Sequence, residues 1–320
     1  MFSRVPIPLA GLMLGLAALG NLWAPYSLSI RYACGLAAAL AGLLLVLRIL
    51  LHPATISRDL KTNSVFASVS ATFFMAVMQL CTYTAPSFPA ASERIWLAAI
   101  IGHFLLMIGF TWQYMLHFSL KDVFPTYFIA YVGIVVASVT SPVFHHELLG
   151  EGIFWFGFIA YACMFALVTI RYYCRRDIAE SAKPLFCIYT APMSLSLTGY
   201  LACVQDKMPL LALFMVICAQ LLFLLVLYKM PKLLRLPFYP SYAAFTFPFV
   251  ITAIALRQTV QYLMSLGWTI PAVLYPIIYL EIACATAIVL YVAVRYAIYL
   301  IPTLFSQTPA YRMVWQTLHR

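Results

Sequence analysis

The chain has 320 residues, of which 65% are hydrophobic and only 9% are charged. Its mean hydropathy of +0.96 excludes an ordinary soluble domain, which needs a far more charged surface. The formal net charge of +10 does not indicate nucleic-acid binding, because no phosphate loop, RNA-binding signature or zinc-finger spacing accompanies it. The eight cysteines are scattered singly, so we expect no disulfide framework, metal site or cofactor.

Ten apolar stretches are each long enough to cross a bilayer, which takes about 20 residues in a helix. They are 5–25, 29–51, 64–84, 95–117, 123–142, 152–173, 184–204, 208–229, 239–262 and 271–300. The connections are short, so consecutive crossings should form five antiparallel hairpins. The sequence predicts an all-α membrane protein with one transmembrane domain, residues 1–320.

The basic residues are divided unevenly between the two ends of these crossings. Of nineteen, only Arg31, Arg94, Lys207 and Arg257 fall on one side. The other fifteen lie on the opposite side, several of them in the connection 171–183. Because Lys and Arg accumulate in cytoplasmic loops, this bias predicts that the second side, with both termini, is cytoplasmic. An even number of crossings requires the two termini to share a side.

The odd-numbered stretches differ in composition from the even-numbered ones. Even stretches are dense in Leu, Ile and Phe, whereas odd ones carry Gly, Ser, Thr and Pro. Bulky apolar side chains suit helices that face lipid, and small or hydroxylated ones suit helices that pack closely or line an aqueous path. The pattern predicts five odd helices inside five even ones. The pore-lining candidates are Pro8, Gly15, Ser70, Thr72, Gly133, Pro192, Ser196, Thr246 and Pro248. The alternative is that the small residues only tighten helix packing.

Few ionisable side chains fall inside the predicted crossings. Glu281 is the one acidic residue well within a crossing, either as a packing or interface partner or as part of a functional site. His103 has no acidic partner in the pattern and is predicted to be a hydrogen-bonded packing residue. His145 and His146, beside Glu147 in an outside loop, are too few ligands to predict a metal site. Neutral, hydroxylated inner helices without a carboxylate ring favour passive passage of anions.

Five segments, one in each odd crossing, carry a family resemblance. They are VPIPLAGLMLGLAALGNLW (5–23), RDLKTNSVFASVSATFFMAVMQL (58–80), FPTYFIAYVGIVVAS (124–138), KPLFCIYTAPMSLSLTGYLA (183–202) and FYPSYAAFTFPFVITAIA (238–255). With these segments in family order, the chain resembles the tellurite-resistance/dicarboxylate transporter family, which includes bacterial TehA proteins and the plant slow anion channels. The resemblance covers essentially the whole chain.

The resemblance implies more than the composition does. It implies five hairpins in quasi-fivefold arrangement around a central pore, a homotrimer surrounded by membrane lipids, and a location in a bacterial inner membrane. The family's pore is plugged by a phenylalanine, which aligns with Phe247 here and, as second choice, with Phe245. Where family members often kink the third and fifth helices with proline, this sequence has Ala71 or its neighbours and Ala130, and its first helix has Met13 where TehA proteins can have proline.

The resemblance and the residues together favour one function and leave others open. The preferred function is an anion-selective channel passing small monovalent anions, chloride or nitrate, through a phenylalanine-gated pore. The alternative within the family is a carrier of larger anions such as malate, another C4-dicarboxylate, sulfite or tellurite. A third hypothesis, an enzyme or a membrane scaffold that transports nothing, is disfavoured because no catalytic cluster is present and the inner faces are hydroxylated.

Overall fold

A computed structural model describes residues 2–175 and 177–305. The α-helices are α1 Leu9–Trp23, α2 Leu28–Leu51, α3 Pro53–Thr62, α4 Ser64–Thr84, α5 Pro89–Phe110, α6 Tyr127–Val132, α7 Val136–Thr140, α8 Glu147–Cys174, α9 Ala191–Cys203, α10 Pro209–Leu233, α11 Thr246–Ser265 and α12 Leu274–Phe305. Short 3₁₀ segments and one π-helical turn, Thr111–Met115, complete the helical content. Three of the basic residues assigned to the cytoplasmic side, Arg176, Arg312 and Arg320, lie outside the described residues.

The predicted crossings are helical. Within the described residues, nine helical stretches are long and apolar enough to span a membrane. The remaining predicted crossing contains α1, which has 15 residues. Tight turns at Pro6 and Pro8 precede this helix, which starts late because proline has no N–H to donate to a helix. These helices confirm a multi-span, all-α membrane fold. The short helix α3 was not predicted; it joins α2 to α4 and begins at Pro53.

The helices divide into two rings by burial. In the 18-residue apolar window of the inner crossings Tyr127–Phe144, Glu180–Cys203 and Pro240–Ser265, 72–83% of the residues are buried, and in that of α4 61% are. In the corresponding windows of the five outer crossings, built on α2, α5, α8, α10 and α12, only 28–33% of the residues are buried. A helix that exposes most of its apolar residues must face lipid or a second copy of the chain. The expected arrangement of odd helices inside even ones is confirmed.

Contacts between elements close the inner helices into a ring. α1 contacts α4, α4 contacts α6, α7 contacts α9, α9 contacts α11, and α11 returns to α1. Each inner helix also packs against the outer helix that follows it in the chain, such as α2 on α1 and α12 on α11. We call α1, α4, α6–α7, α9 and α11 the inner ring. Because one outer crossing separates each from the next, all inner-ring helices run in the same direction.

Three of the inner crossings change helix type part-way. The crossing of α6 and α7 contains a 3₁₀ turn at Gly133–Val135. The two crossings that end in α9 and α11 begin as 3₁₀ segments, Glu180–Thr190 and Pro240–Phe245. Such changes leave local backbone groups without regular partners and are tolerated in a membrane where protein surrounds them. All three breaks lie in buried backbone inside the outer helices.

The first and last hairpins meet at a place where only a very small residue fits. A Cβ added at Gly15 of α1 would lie 2.5 Å from the Thr246 Cβ of α11. The Thr246 Oγ1 also donates a 2.9 Å hydrogen bond to the Gly11 carbonyl, so the two backbones are held together at this point. Close approach through glycine is a common way for membrane helices to pack.

We predict opposite effects for alanine at two glycines. Gly15→Ala should lower the stability by about 1–3 kcal/mol, because the new methyl group overlaps Thr246 next to its backbone. Gly152→Ala, on α8, should leave stability unchanged or raise it by about 0.5–1 kcal/mol, since nothing lies within 4 Å of the new Cβ. Thermal unfolding in mild detergent measures both. Equal midpoints for the two variants would contradict the tight contact.

Candidate functional site

A cavity lies inside the inner ring, in the half where the inner helices begin. Its volume is about 60 Å³, room for a few water molecules. All five inner crossings contribute to its wall, for example Leu14 of α1, Met75 of α4, Val132 of α6, Leu195 of α9 and Phe247 of α11. No lining residue among those described is charged.

Six of the sequence-predicted site residues line this cavity. They are Pro8, Thr72, Gly133, Pro192, Phe247 and Pro248. They come from five different inner crossings, far apart in the sequence, and the ring brings them to one space. Other lining residues are apolar side chains such as Phe128 and Ile188, which sequence reasoning did not single out because they look like ordinary membrane-core residues.

The other four predicted lining residues have different surroundings. Gly15 and Thr246 face each other across the α1–α11 contact. The Ser70 hydroxyl donates to the Phe66 carbonyl of its own helix, 2.8 Å away. Ser196 is fully buried, and its Oγ has no hydrogen-bond partner among the described residues. None of the four belongs to the cavity wall, because small residues and hydroxyls also serve helix contacts and helix carbonyls.

The two candidate gate residues are clearly separated. Phe247 lies in the first turn of α11 and forms part of the cavity wall. Phe245 ends the preceding 3₁₀ segment, is fully buried, and packs against Tyr242 with ring centroids 4.8 Å apart. Phe245 does not reach the cavity, so its ring is a core residue.

Behind the cavity wall, His103 supports the broken helix. It is fully buried on the outer helix α5, and its Nε2 donates to the Ala130 carbonyl of α6 at 3.2 Å. A Cβ at Gly133 would come within 3.2 Å of the His103 ring and 2.6 Å of Met75 Sδ. The imidazole therefore satisfies a carbonyl beside the 3₁₀ turn, in keeping with the packing role expected for it. Glu281 is also buried, on α12, away from the cavity.

At the end where the inner helices begin, two 3₁₀ segments are tied together beside the cavity. The Ser241 hydroxyl, which lines the cavity, donates to the Ser181 carbonyl at 2.5 Å. The Tyr239 hydroxyl donates to Glu180 Oε1 at 2.8 Å, and this bond raises the pKa of Tyr239. These contacts fix the start of the segment that carries Phe247.

The electrostatics of the cavity follow from backbone rather than from charged side chains. α1 begins beside it at Leu9, and the helical runs that lead into α9 and α11 begin at Glu180 and Pro240, on the same side of the ring. Helix N-termini carry partial positive charge, equivalent to roughly half an elementary charge each. With these helix N-termini on its side of the ring, the apolar space disfavours cations more than anions.

The sequence matches one known family along most of its length. Residues 4–297 match the voltage-dependent anion channel family, SLAC1. The chain belongs to this family. A search of curated proteins found no match. The resemblance noted in the sequence is thereby confirmed, and the chain is an integral, multi-pass membrane protein of a family that transports anions and is not a family of enzymes.

We predict that the Thr72 hydroxyl contributes nothing to stability. Its Oγ1 is buried at the cavity and has no partner among the described residues, so Thr72→Val should keep or raise the unfolding midpoint. Ser68→Ala, one turn earlier on α4, is the matched control. The Ser68 Oγ bonds Thr126 Oγ1 at 2.8 Å, and its loss should cost about 1–3 kcal/mol. A larger loss in Thr72→Val than in Ser68→Ala would contradict the assignment.

Proposed function

We propose that the protein is an anion channel that passes small monovalent anions such as chloride and nitrate, with Phe247 as the gate of its pore. The cavity within the inner ring carries this proposal, because all five inner crossings build it and Phe247 forms part of its wall. The path would continue along the axis of the ring. The pore-lining residues we propose are the six predicted ones at the cavity.

An aromatic gate suits this cavity for a physical reason. A space of about 60 Å³ with an apolar wall does not hold enough water to hydrate a passing ion. Hydrophobic constrictions of this kind close a pore by excluding water. Phe247 is 95% buried, and burying a phenylalanine ring stabilises the closed state by about 2–3 kcal/mol. A regulator that moves the ring aside must supply this free energy.

We predict that removing the Phe247 ring opens the channel. Phe247→Ala should raise anion current severalfold in planar bilayers while the protein stays folded, because the ring faces a cavity on one side. Phe245→Ala is the control: it removes a core ring, so it should lower stability by about 3–5 kcal/mol without raising the current. A parental current in Phe247→Ala, or a raised current only in Phe245→Ala, would overturn the gate assignment.

The alternative is a carrier of larger anions, such as malate, sulfite or tellurite. The same recordings distinguish it, since a carrier gives a saturable flux without unitary currents. Exchanging chloride, nitrate and malate across the bilayer then identifies the ion that is passed. We favour the channel because no lining residue among those described carries a charge that would bind a dicarboxylate.

We also propose a homotrimer in a bacterial inner membrane with both termini cytoplasmic, each subunit having its own pore. The outer helices expose long apolar faces, including Leu36, Leu40 and Leu43 of α2 and Leu221 and Leu224 of α10. Such faces require lipid or a second copy. Because each inner ring is complete within one chain, association should leave every pore intact.

We predict that native mass measurement in mild detergent gives the mass of three chains. Dilution should yield monomers only well below the concentration at which trimers dominate. The Phe247→Ala variant should give the same distribution, because the ring lies inside the subunit. Monomers at every concentration tested would rule out the trimer and leave the pore proposal standing.

A further inference from the structure

An apolar groove opens on the outer surface of the subunit, between the outer helices α5 and α8. Its volume is about 360 Å³, several times that of the cavity inside the inner ring. Phe104, Ile108 and Trp112 of the α5 crossing form one wall, Phe156 of α8 forms the other, and Tyr131 of α6 lies between them. We call this space the α5–α8 groove. Since α5 and α8 both pack on α6, the groove has the inner ring behind it and faces lipid or a second copy of the chain.

The length of the groove corresponds to one leaflet of a bilayer. Its lining on the α5 crossing runs from Phe104 to Leu116, twelve residues or about 18 Å of helix. Half of the hydrocarbon core of a bilayer is about 15 Å. Trp112, which is 68% exposed, lies near the cytoplasmic end of this stretch, and tryptophan is enriched at the level of the lipid headgroups. The groove therefore extends from the apolar interior of the membrane to its surface.

The two hydroxyl groups in the groove are bonded within the protein. The Thr111 Oγ1 donates to the Met107 carbonyl at 2.8 Å. The Tyr131 hydroxyl then donates to Thr111 Oγ1, also at 2.8 Å. Because both hydroxyl protons are used in this way, the wall offers an occupant chiefly apolar contact. The methylene groups of an acyl chain suit such a wall.

Two basic residues are held together at the cytoplasmic end of the groove. Arg171 of α8 is 98% buried, and its guanidinium donates through Nη1 to the Arg175 carbonyl at 2.6 Å and through Nη2 to the Lys121 carbonyl at 3.5 Å. Lys121 belongs to the connection that follows Leu116, and Arg175 follows the end of α8. One side chain thus joins the ends of the two helices that form the groove, and Lys121 and Arg175 are both exposed there.

The charges at this end favour one anionic group. Asp177 pairs with Arg171 at 3.3 Å, and Asp122 adds a second negative charge beside Lys121. Neither Lys121 nor Arg175 has an acidic partner within 4 Å among the described residues. Three cations and two carboxylates leave one net positive charge, which a phosphodiester would neutralise. Basic pockets between membrane helices on the cytoplasmic side are typical binding sites for anionic headgroups.

A second groove, between α8 and α10, lacks this combination. Its volume is larger, about 460 Å³, but its lining on α10 ends at Leu222. The next basic residue along that helix is Lys229, seven residues or about 10 Å further on. An acyl chain there would have no cation at the end of the groove, so Lys229 provides a control for the test below.

We propose that the α5–α8 groove binds an anionic phospholipid, with an acyl chain along α5 and the phosphate between Lys121 and Arg175. Arg171 is a positioning residue, because it holds the two backbones from which these side chains project. Bound there, the lipid packs behind α6, whose Phe128 and Val132 line the cavity. The binding does not depend on whether the protein is a channel or a carrier.

The headgroup test uses the fluorescence of Trp112 with the full chain in phosphatidylcholine vesicles. Phosphatidylglycerol carrying bromine on its acyl chains replaces a rising fraction of the lipid, and the Trp112 signal is the difference between the parent and Trp112→Phe. Brominated phosphatidylglycerol should quench this signal at a more than tenfold lower fraction than brominated phosphatidylcholine does. Lys121→Gln and Arg175→Gln should each lower the preference about fivefold, since both keep the backbone carbonyl that Arg171 binds. Lys229→Gln should leave it unchanged.

The groove itself is tested by filling it. Ile108→Phe places a larger side chain in the groove and should weaken phosphatidylglycerol binding severalfold. Ile159→Phe makes the same change at an exposed position of α8 outside the groove and should have no effect. Equal quenching by the two brominated lipids, unaltered in Lys121→Gln and Arg175→Gln, would mean that the groove meets only bulk lipid and overturns the proposal. Absence of quenching by either lipid would mean that a second copy covers the groove, and it overturns the proposal as well.

Discussion

The contact between α1 and α11 is the constraint on which the rest of the structure depends. The two helices belong to the first and last hairpins, and their residues are 235 positions apart where Thr246 bonds the Gly11 carbonyl. Without this contact the five hairpins would form an open row. Gly15 allows the approach because any side chain would overlap Thr246, and the next residue along the chain is Phe247. The same contact therefore closes the ring and places Phe247 in the wall of the cavity.

The common direction of the inner helices makes the two ends of the ring electrically different. Helix N-termini lie at the end of the ring nearer the cavity and favour an anion there, whereas the C-termini lie at the opposite end and repel it. If nothing offset the negative charge of the C-termini, it would repel the anion that the N-termini attract along the same axis. Arg257 and Arg31 bond carbonyls at this opposite end, so positive charge stands where the helix dipoles are negative. A membrane crossing with few charged residues can in this way favour one sign of ion.

The sequence was enough to predict the crossings and the division into inner and outer helices. Both depend on composition averaged over some twenty residues, and lipid contact imposes that composition directly. It also selected Phe247 over Phe245 through family resemblance, and the cavity contains the first and not the second. The 3₁₀ turn at Gly133–Val135 could not be foreseen, because no proline marks it. Its support comes from His103, on a different helix, which no local pattern connects with Ala130.

The hydroxyl residues show why the pore lining was only partly predictable. Most of them bond a carbonyl one turn back in their own helix, as Ser70 does with Phe66 and Thr252 does with Pro248. A hydroxyl bonded in this way is satisfied inside a membrane whether or not it meets water. Hydroxyl content therefore marks a helix shielded from lipid and does not say which of its faces is wet. What separates the cavity from the packed faces is which side of each helix points into the ring: Thr72 of α4 lines the cavity, whereas Thr246 of α11 lies in the contact with α1.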